Sequence, residues 1–529
     1  MRQRRWILAC VLLLVVACAV GLGLLLRSRP STPPQAEPAP EPRAETGAAL
    51  PAEPEVEAEP EVETEYLAVF MQGKKVGHAV HTRRVEGDAV VTSEDVSITI
   101  SRLGIPLTVK TNETSVETAD GKPLSFDSVQ LLGLVTMKVS GAVDANGFVE
   151  LTSSSLGPEQ KRTMPWPEGA VMAEGLRLLT LEKGLEAGTA YTAKVFTPGM
   201  MQALEADVVI GERKNIDLLG RVVKLTEVTT TFNAPTTGQI TSTSYVDDEM
   251  RTMKSTVPMA GMQIEMVSCA EEFALGDNDV VELIGAMFVD SPVSLDNPRS
   301  AASITYWLAP NPGPEFTIPT TDNQTAERLA DGKIKLVVKP VVAQGGTFPY
   351  KGNDPALLEA VQPTLFLQSD REEIVALARK AIGNARDTAE AAQRIETFVA
   401  KYIENKSLSI GYASAAEVVS SRQGDCSEFA VLTAALCRAV GIPSQVVAGI
   451  AYVKDFEGHE GFGGHAWTQA YIAGQWVGLD AAFKSSSRGG YDAGHIALAV
   501  GNGEPADFFN IASTLGRFTI ERLEVQRGQ

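Results

Sequence analysis

Histidine and cysteine are scarce in this chain, with five of each among 529 residues. The cysteines are Cys10, Cys18, Cys269, Cys426 and Cys437. They contain no C-x-x-C pair, so neither a zinc site nor a disulfide framework is indicated. The histidines are His78, His81, His459, His465 and His495, few enough to weigh one at a time. Basic charge is also in deficit. Lys and Arg number 46 against 66 Asp and Glu, a formal net charge of −20. That excludes a general nucleic-acid binder, because phosphate binding needs a basic face. No G-x-G-x-x-G follows a strand and opens a helix, so the dinucleotide fingerprint is missing. No cofactor and no metal is expected. Apolar residues, in contrast, make up 44%, enough for sizeable cores in about three or four domains.

Residues 6–26 form a long apolar run without charge. At 1.5 Å per residue it reaches about 30 Å, the thickness of a bilayer core. Arg2, Arg4 and Arg5 precede it, and Arg27 and Arg29 follow. This small basic excess predicts an N-terminal transmembrane anchor over 1–29, N-terminus in the cytoplasm and body outside. The run ends in leucines rather than at a cleavage site, which favours a retained anchor. A lipoprotein signal at Cys18 is the alternative, and it also places the body outside. Residues 30–65 are rich in Pro, Glu and Ala and predict an extended, disordered spacer.

The fold class expected is α+β, with β-rich domains first and a helical C-terminal domain after them. Over 66–285, alternating stretches are broken by turn signals such as the Asn-Gly in VTMKVSGAVDANGFVELTSS, which predicts one large antiparallel sheet, a curved half-barrel. His78 and His81 lie three apart there, on opposite strand faces, and read as surface or packing residues. Cys269 reads as a small buried apolar group. Residues 286–365 read as a smaller β-rich domain. From 366 to 529 the pattern turns helical, with Ser369 or Asp370, Asp387 and Ser414 as candidate helix caps.

One stretch carries chemistry. In RQGDCSEFAVLTAALCRAVGIPSQ, Phe429, Leu432, Leu436 and Val440 share a helix face, and Gly441 and Pro443 end the helix. Cys426 therefore stands at a helix N-terminus, where unpaired N–H groups favour a thiolate. Cys437 lies about 16 Å further along, inside the apolar stripe, and reads as core. A nucleophilic thiol needs a base, and the base an orienter. Downstream, HAWTQAYIAGQWVGLD reads as a hairpin turning at Ala473-Gly474. If paired residue numbers sum to 947, Asp480 opposes Trp467 and lies diagonal to His465. If they sum to 945, it opposes His465 directly. Either register puts imidazole and carboxylate on one face; a one-residue slip separates them. His459, in the glycine-rich FEGHEGFGGH, reads as part of a mobile loop and is the weaker candidate base. His495 reads as structural or as lining the site edge.

RQGDCSEFAVLTAALCRAVGIPSQVVAGI followed by GGHAWTQAYIAGQWVGLDAAF resembles the transglutaminase-like superfamily, in its bacterial membrane-associated branch, over roughly residues 366–525. The resemblance implies a papain-like core with Cys426 as nucleophile, His465 as base and Asp480 as orienting carboxylate. It implies a thiol enzyme acting on peptide or carboxamide carbonyls of a protein or peptide substrate in the cell envelope, with hydrolysis favoured over transamidation. Two positions depart from the common pattern: Ala481 stands where a proline usually follows the aspartate, and Ser427 stands where an aromatic usually follows the cysteine. The Cys426 backbone N–H, and Gln423 more weakly, are candidates for the oxyanion site. The rival class is a catalytically silent envelope scaffold that binds through its β-rich domains.

Overall fold

A computed structural model describes residues 62–527, apart from 103–104, 133–134, 155–158, 235–237, 260–261, 283–287, 313–314, 407–412, 457–458, 487–488, 504–510 and 512–513. The expected anchor and most of the spacer lie outside the described residues. Among the described residues, no helix is long and apolar enough to cross a membrane.

Strand-forming alternation dominates the first half. Sixteen strands between Val62 and Glu282 form one sheet, almost wholly antiparallel, in which sequence neighbours pair with one another. The first strand, Val62–Met71, also pairs with Met262–Ser268, Leu67 opposite Ser268, which joins the two runs of strands. Leu67, Val69, Met71, Ala79, Val96 and Ile98 are buried on one face. The helix Ala173–Lys183 is tied to the sheet by Glu117, which accepts from the amides of Glu174 and Gly175 at 2.6 and 2.9 Å. The Asn-Gly signal marks a real turn. Asp144 Oδ1 accepts from the amides of Asn146 and Phe148, and Gly147 adopts φ +77°. His81 is buried and paired in register with Glu65 and Glu94; His78, three residues earlier, is half-buried. Cys269 is half-buried rather than fully buried, because it stands just past a strand end.

A four-stranded sheet follows, made of Ala301–Pro310, Gln324–Arg328, Ile334–Val338 and the distant C-terminal strand Phe518–Arg527. The small β segment therefore shares a sheet with the chain's end. Ala301–Pro310 is the centre of that arrangement, flanked by Ile334–Val338 and Phe518–Arg527.

The helices that matter are α1 (Glu372–Ile382), α2 (Thr388–Tyr402), α3 (Ala415–Ser421), α4 (Cys426–Ala439) and α5 (Ala481–Lys484). They accompany a five-stranded sheet of β1 (Phe288–Asp290), β2 (Ser444–Phe456), β3 (His459–Ile472), β4 (Gln475–Leu479) and β5 (His495–Gly501). β3 is central, with β2 on one side and β1 and β4 on the other; β5 pairs with β2. Asp387 caps α2 and a Ser414/Glu417 capping box starts α3. α1 instead begins after Arg371 without a side-chain cap, leaving Ser369 and Asp370 outside it. Its first turn holds Glu372 and Glu373, whose charges suit the positive end of the helix dipole.

Candidate active site

α4 is almost entirely buried, so its ends must be satisfied from within the protein. At the N-terminus Asp425 accepts from the Ser427 amide at 3.0 Å, and Glu428 returns the bond by accepting from the Asp425 amide at 2.8 Å. This is a capping box that the sequence expectation did not include, formed by Asp425 and the residue three positions on. Glu428 also accepts from the Ala413 amide at 2.9 Å and the Ser427 hydroxyl at 3.0 Å. Burial, then the neighbouring Asp425 charge, pushes Glu428 well above the usual carboxylate range. The box fixes Cys426 as the first residue of the helix, 6% exposed. Cys437 is fully buried, and burial pushes its thiol up to about 12. Gly441, at φ +79°, closes the helix end.

α4 is held against β3 by a hydrogen bond from the Thr468 hydroxyl to the Ala430 carbonyl at 2.9 Å. Ala430 lies one helical turn after Cys426, and Thr468 lies three strand residues after His465. The bond therefore brings the cysteine end of α4 and the histidine end of β3 into one region of the fold.

The hairpin is in the first of the two expected registers. Ile472 pairs with Gln475 and Thr468 with Leu479, a sum of 947. Ala473 and Gly474 turn it with φ +50° and +92°, the two positive values a tight primed turn requires. Asp480 then leaves the strand as the cap of α5. Its Oδ1 accepts from the Phe483 amide at 2.9 Å, and its Oδ2 lies 2.9 Å from His465 Nε2. Asp480 is 1% exposed and His465 5%. Phe483 stacks on the imidazole, with ring centroids 4.2 Å apart. The alanine in the proline position costs nothing here, because the carboxylate is oriented by the cap itself.

Three further residues support Asp480, one at its amide, one at its carboxylate and one behind that, and the sequence did not single out Glu396 or Asp492. Glu396 on α2 accepts from the Asp480 amide at 2.9 Å and is paired with Lys484. His495, at the start of β5, places Nε2 3.0 Å from the same Asp480 Oδ2. Its Nδ1 lies 3.1 Å from both Asp492 Oδ1 and the Asp492 carbonyl. His495 thus belongs to the centre of the site rather than its edge. Burial would push Asp480 up; the charge and hydrogen bond of His465, then those of His495, hold it far below the usual carboxylate range. Burial would push His495 down; its bonds to Asp480 and Asp492 prevail and raise it to about 9.

The donor atoms of His465, Asp480 and His495 lie within 4.8 Å of one another, a spacing that a cation could also use. Hydrogen bonds account for it here: both imidazoles lie at Asp480 Oδ2, and His495 reaches Asp492 through its other nitrogen.

His459 has its backbone in β3, paired with Phe456. From His459 onward the expected mobile glycine loop is a strand, and residues 457–458 lie outside the described residues. Phe462 is buried and Gly461 pairs with Asp290 of β1 and Val453 of β2. A Cβ on Gly461 would sit 2.6 Å from the Val289 carbonyl, so this glycine admits a neighbouring strand rather than motion.

Comparison with known proteins finds a family match over part of the chain. The transglutaminase-like superfamily matches residues 375–481, which contain Cys426, His465 and Asp480. Among solved structures, the chain is similar to a candidate cysteine protease from Cytophaga hutchinsonii, at 19% identity over 44% of this chain and 86% of that one, TM-score 0.29. It is similar to a β-barrel-like protein of the DUF1849 domain from Brucella abortus, at 13% identity over 40% and 95%, TM-score 0.31. It is also similar to the periplasmic domain of TgpA from Pseudomonas aeruginosa bound to ethylmercury, at 14% identity over 36% and 91%, TM-score 0.21. No curated protein matches. With identities and scores this low, the chemistry must be carried by this chain's own residues.

Proposed function

We propose that the transglutaminase-like domain of this chain is a thiol enzyme acting on peptide or carboxamide carbonyls through Cys426, His465 and Asp480. The observation that carries this reading is the buried His465–Asp480 pair at 2.9 Å, beside a helix that begins at Cys426. Asp480 uses Nε2 of the imidazole, so Nδ1 is the atom to exchange a proton with the thiol. The Cys426 sulfur attacks the carbonyl carbon while its proton passes to His465. The C–N bond then breaks, His465 returns the proton to the departing amine, and a thioester remains. Water, activated by the same imidazole, attacks the thioester and releases acid and thiol. An amine in that role gives transamidation instead; hydrolysis is preferred because water is the default acceptor. The Asp425 cap takes the Ser427 amide, and the Cys426 N–H supplies an oxyanion donor. In the cell we place the domain outside the cytoplasm, held by the N-terminal apolar segment, with envelope proteins or peptides as substrates.

The test is competitive alkylation of the full chain with iodoacetamide. Cys426 should react faster than half-buried Cys269 and buried Cys437, and His465→Ala should remove the difference. Equal, slow labelling of the three thiols overturns the reading in favour of a binding scaffold. Product analysis with and without an added primary amine then separates hydrolysis from acyl transfer.

A further inference from the structure

We infer that His495 is a fixed cation on the far side of Asp480, a positioning residue that limits how much of the carboxylate's charge reaches His465 and so sets the pH at which His465 gives up its proton. This rests on the reading of His465 as the catalytic base.

The geometry argues for the charge. His495 is fully buried and faces an acceptor at each nitrogen: Asp480 Oδ2 at 3.0 Å from Nε2, and Asp492 Oδ1 with the Asp492 carbonyl at 3.1 Å from Nδ1. The Asp492 N–H also points at Nδ1, at 3.3 Å, the longest of the three contacts there; a proton on Nδ1 gives up that contact for the two shorter ones. A neutral ring has one N–H and would turn a lone pair toward a carboxylate at one end. Two ring protons satisfy both ends. The other described side chains around the ring are aromatic or already paired. The Tyr491 ring lies tilted at 4.7 Å and burial raises its phenol, so it stays neutral; the rings of Trp467 and Phe483 also lie against the imidazole. Ala451 is the β2 partner of His495. Lys484 is committed to Glu396. Two imidazoles and two carboxylates thus form a row, His465, Asp480, His495 and Asp492. The elevated pKa of His495 fits this arrangement.

The consequence follows from charge balance. Asp480 alone would hold the His465 proton tightly. With the His495 cation on the same oxygen, much of that attraction is cancelled, and His465 becomes a better acid toward a departing amine. The ring centroids are 5.7 Å apart. At an effective dielectric constant of about 20, a unit charge at that distance moves a pKa by on the order of 1–2 units.

The experiment uses the full chain carrying Cys426→Ala, with ¹⁵N-histidine labelling; only five rings need assignment, and His495→Gln assigns one. The expected result is a doubly protonated His495 ring at pH 7. In His495→Gln, the His465 midpoint should rise by about 1–2 units. In the Cys426-intact protein, the acid limb of single-turnover acylation should move up with it. A singly protonated His495 at pH 7, or an unmoved His465 midpoint in a folded His495→Gln chain, overturns the inference. A merely structural role lowers the acylation plateau and leaves the limb in place. Should His495→Gln fail to fold, Asp492→Asn serves: His495 should then lose its second proton closer to neutral pH, and an unchanged titration counts against the inference. If Cys426 proves unreactive while His495 titrates as stated, it is the catalytic reading that fails.

Discussion

Asp480→Asn keeps the shape of the carboxylate, yet the structure gives the amide no acceptable orientation. Oδ2 accepts from His465 and His495, and Oδ1 accepts from the Phe483 amide. An asparagine has one oxygen and one NH₂. With its oxygen toward the imidazoles, the NH₂ meets the Phe483 N–H, and the α5 cap is lost. Flipped, the NH₂ meets two imidazole N–H groups. A buried donor left facing a donor costs about 1–3 kcal/mol. Removing one partner of a buried charge pair costs about 3–5 kcal/mol, less whatever His495 recovers by shedding its proton. The net expectation is a loss of roughly 2–5 kcal/mol in stability. Turnover should fall by on the order of 10²–10⁴, as in other triads whose aspartate is made neutral. The assay is single-turnover acylation by a thiol-directed amide probe, with chemical denaturation of the same sample monitored at the tryptophans. Wild-type acylation together with wild-type stability would refute the claim that Asp480 orients the base.

Three other outcomes are expected. Stability of the catalytic domain should fall as pH rises: the folded pKa of His495 is raised from 6.5 to about 9, so its contribution is full below 6.5 and is lost through 9. The loss is about 3 kcal/mol, and denaturation curves across that range should flatten in His495→Gln. Gly449→Ala should destabilise by about 1–3 kcal/mol or more, because a Cβ there would lie 2.0 Å from the Ile496 carbonyl; an unchanged melting temperature would contradict the close approach of β2 and β5. Asp425→Ala should cost about 1–2 kcal/mol through loss of the α4 cap and slow Cys426 alkylation, while an unaltered alkylation rate would mean that the cap does not set the thiol's position.

Much of the catalytic region was legible because its signals are local. The apolar stripe, Gly441 and Pro443 delimit α4, and the Ala473-Gly474 turn fixes a register from which the His465–Asp480 contact follows by counting. Helix caps were readable where a side chain does the capping, as at Asp387 and Ser414, and misread at α1, where only the first-turn acids support the start. The glycine-rich stretch before His465 was misread for a related reason. Glycine signals both mobility and close approach, and only the presence of β1 on one side and β2 on the other decides for a strand. The C-terminal strand Phe518–Arg527 pairs with Ala301–Pro310 across the whole of residues 311–517, and nothing local announces such a partner.

His495 marks the limit of local reading most clearly. Its own neighbourhood, YDAGHIALA, looks like the start of a buried strand, and it is one: Ile496, Ala497 and Leu498 are core. What brings the residue to Asp480 is the pairing of β5 with β2 rather than with the hairpin, Ala451 opposite His495 and Gly449 opposite both His465 and Ala497. Through that shared strand the two histidines come to the same carboxylate from segments 30 residues apart in sequence. The irregularity between Ala448 and Gly449 shifts the register of β5 against β2, and with it the height at which His495 meets Asp480. A bulge is a property of two strands together, so no periodicity in either one contains it. The His465–Asp480 contact therefore follows from counting along one hairpin, whereas the approach of His495 to the same carboxylate requires the order of the whole sheet.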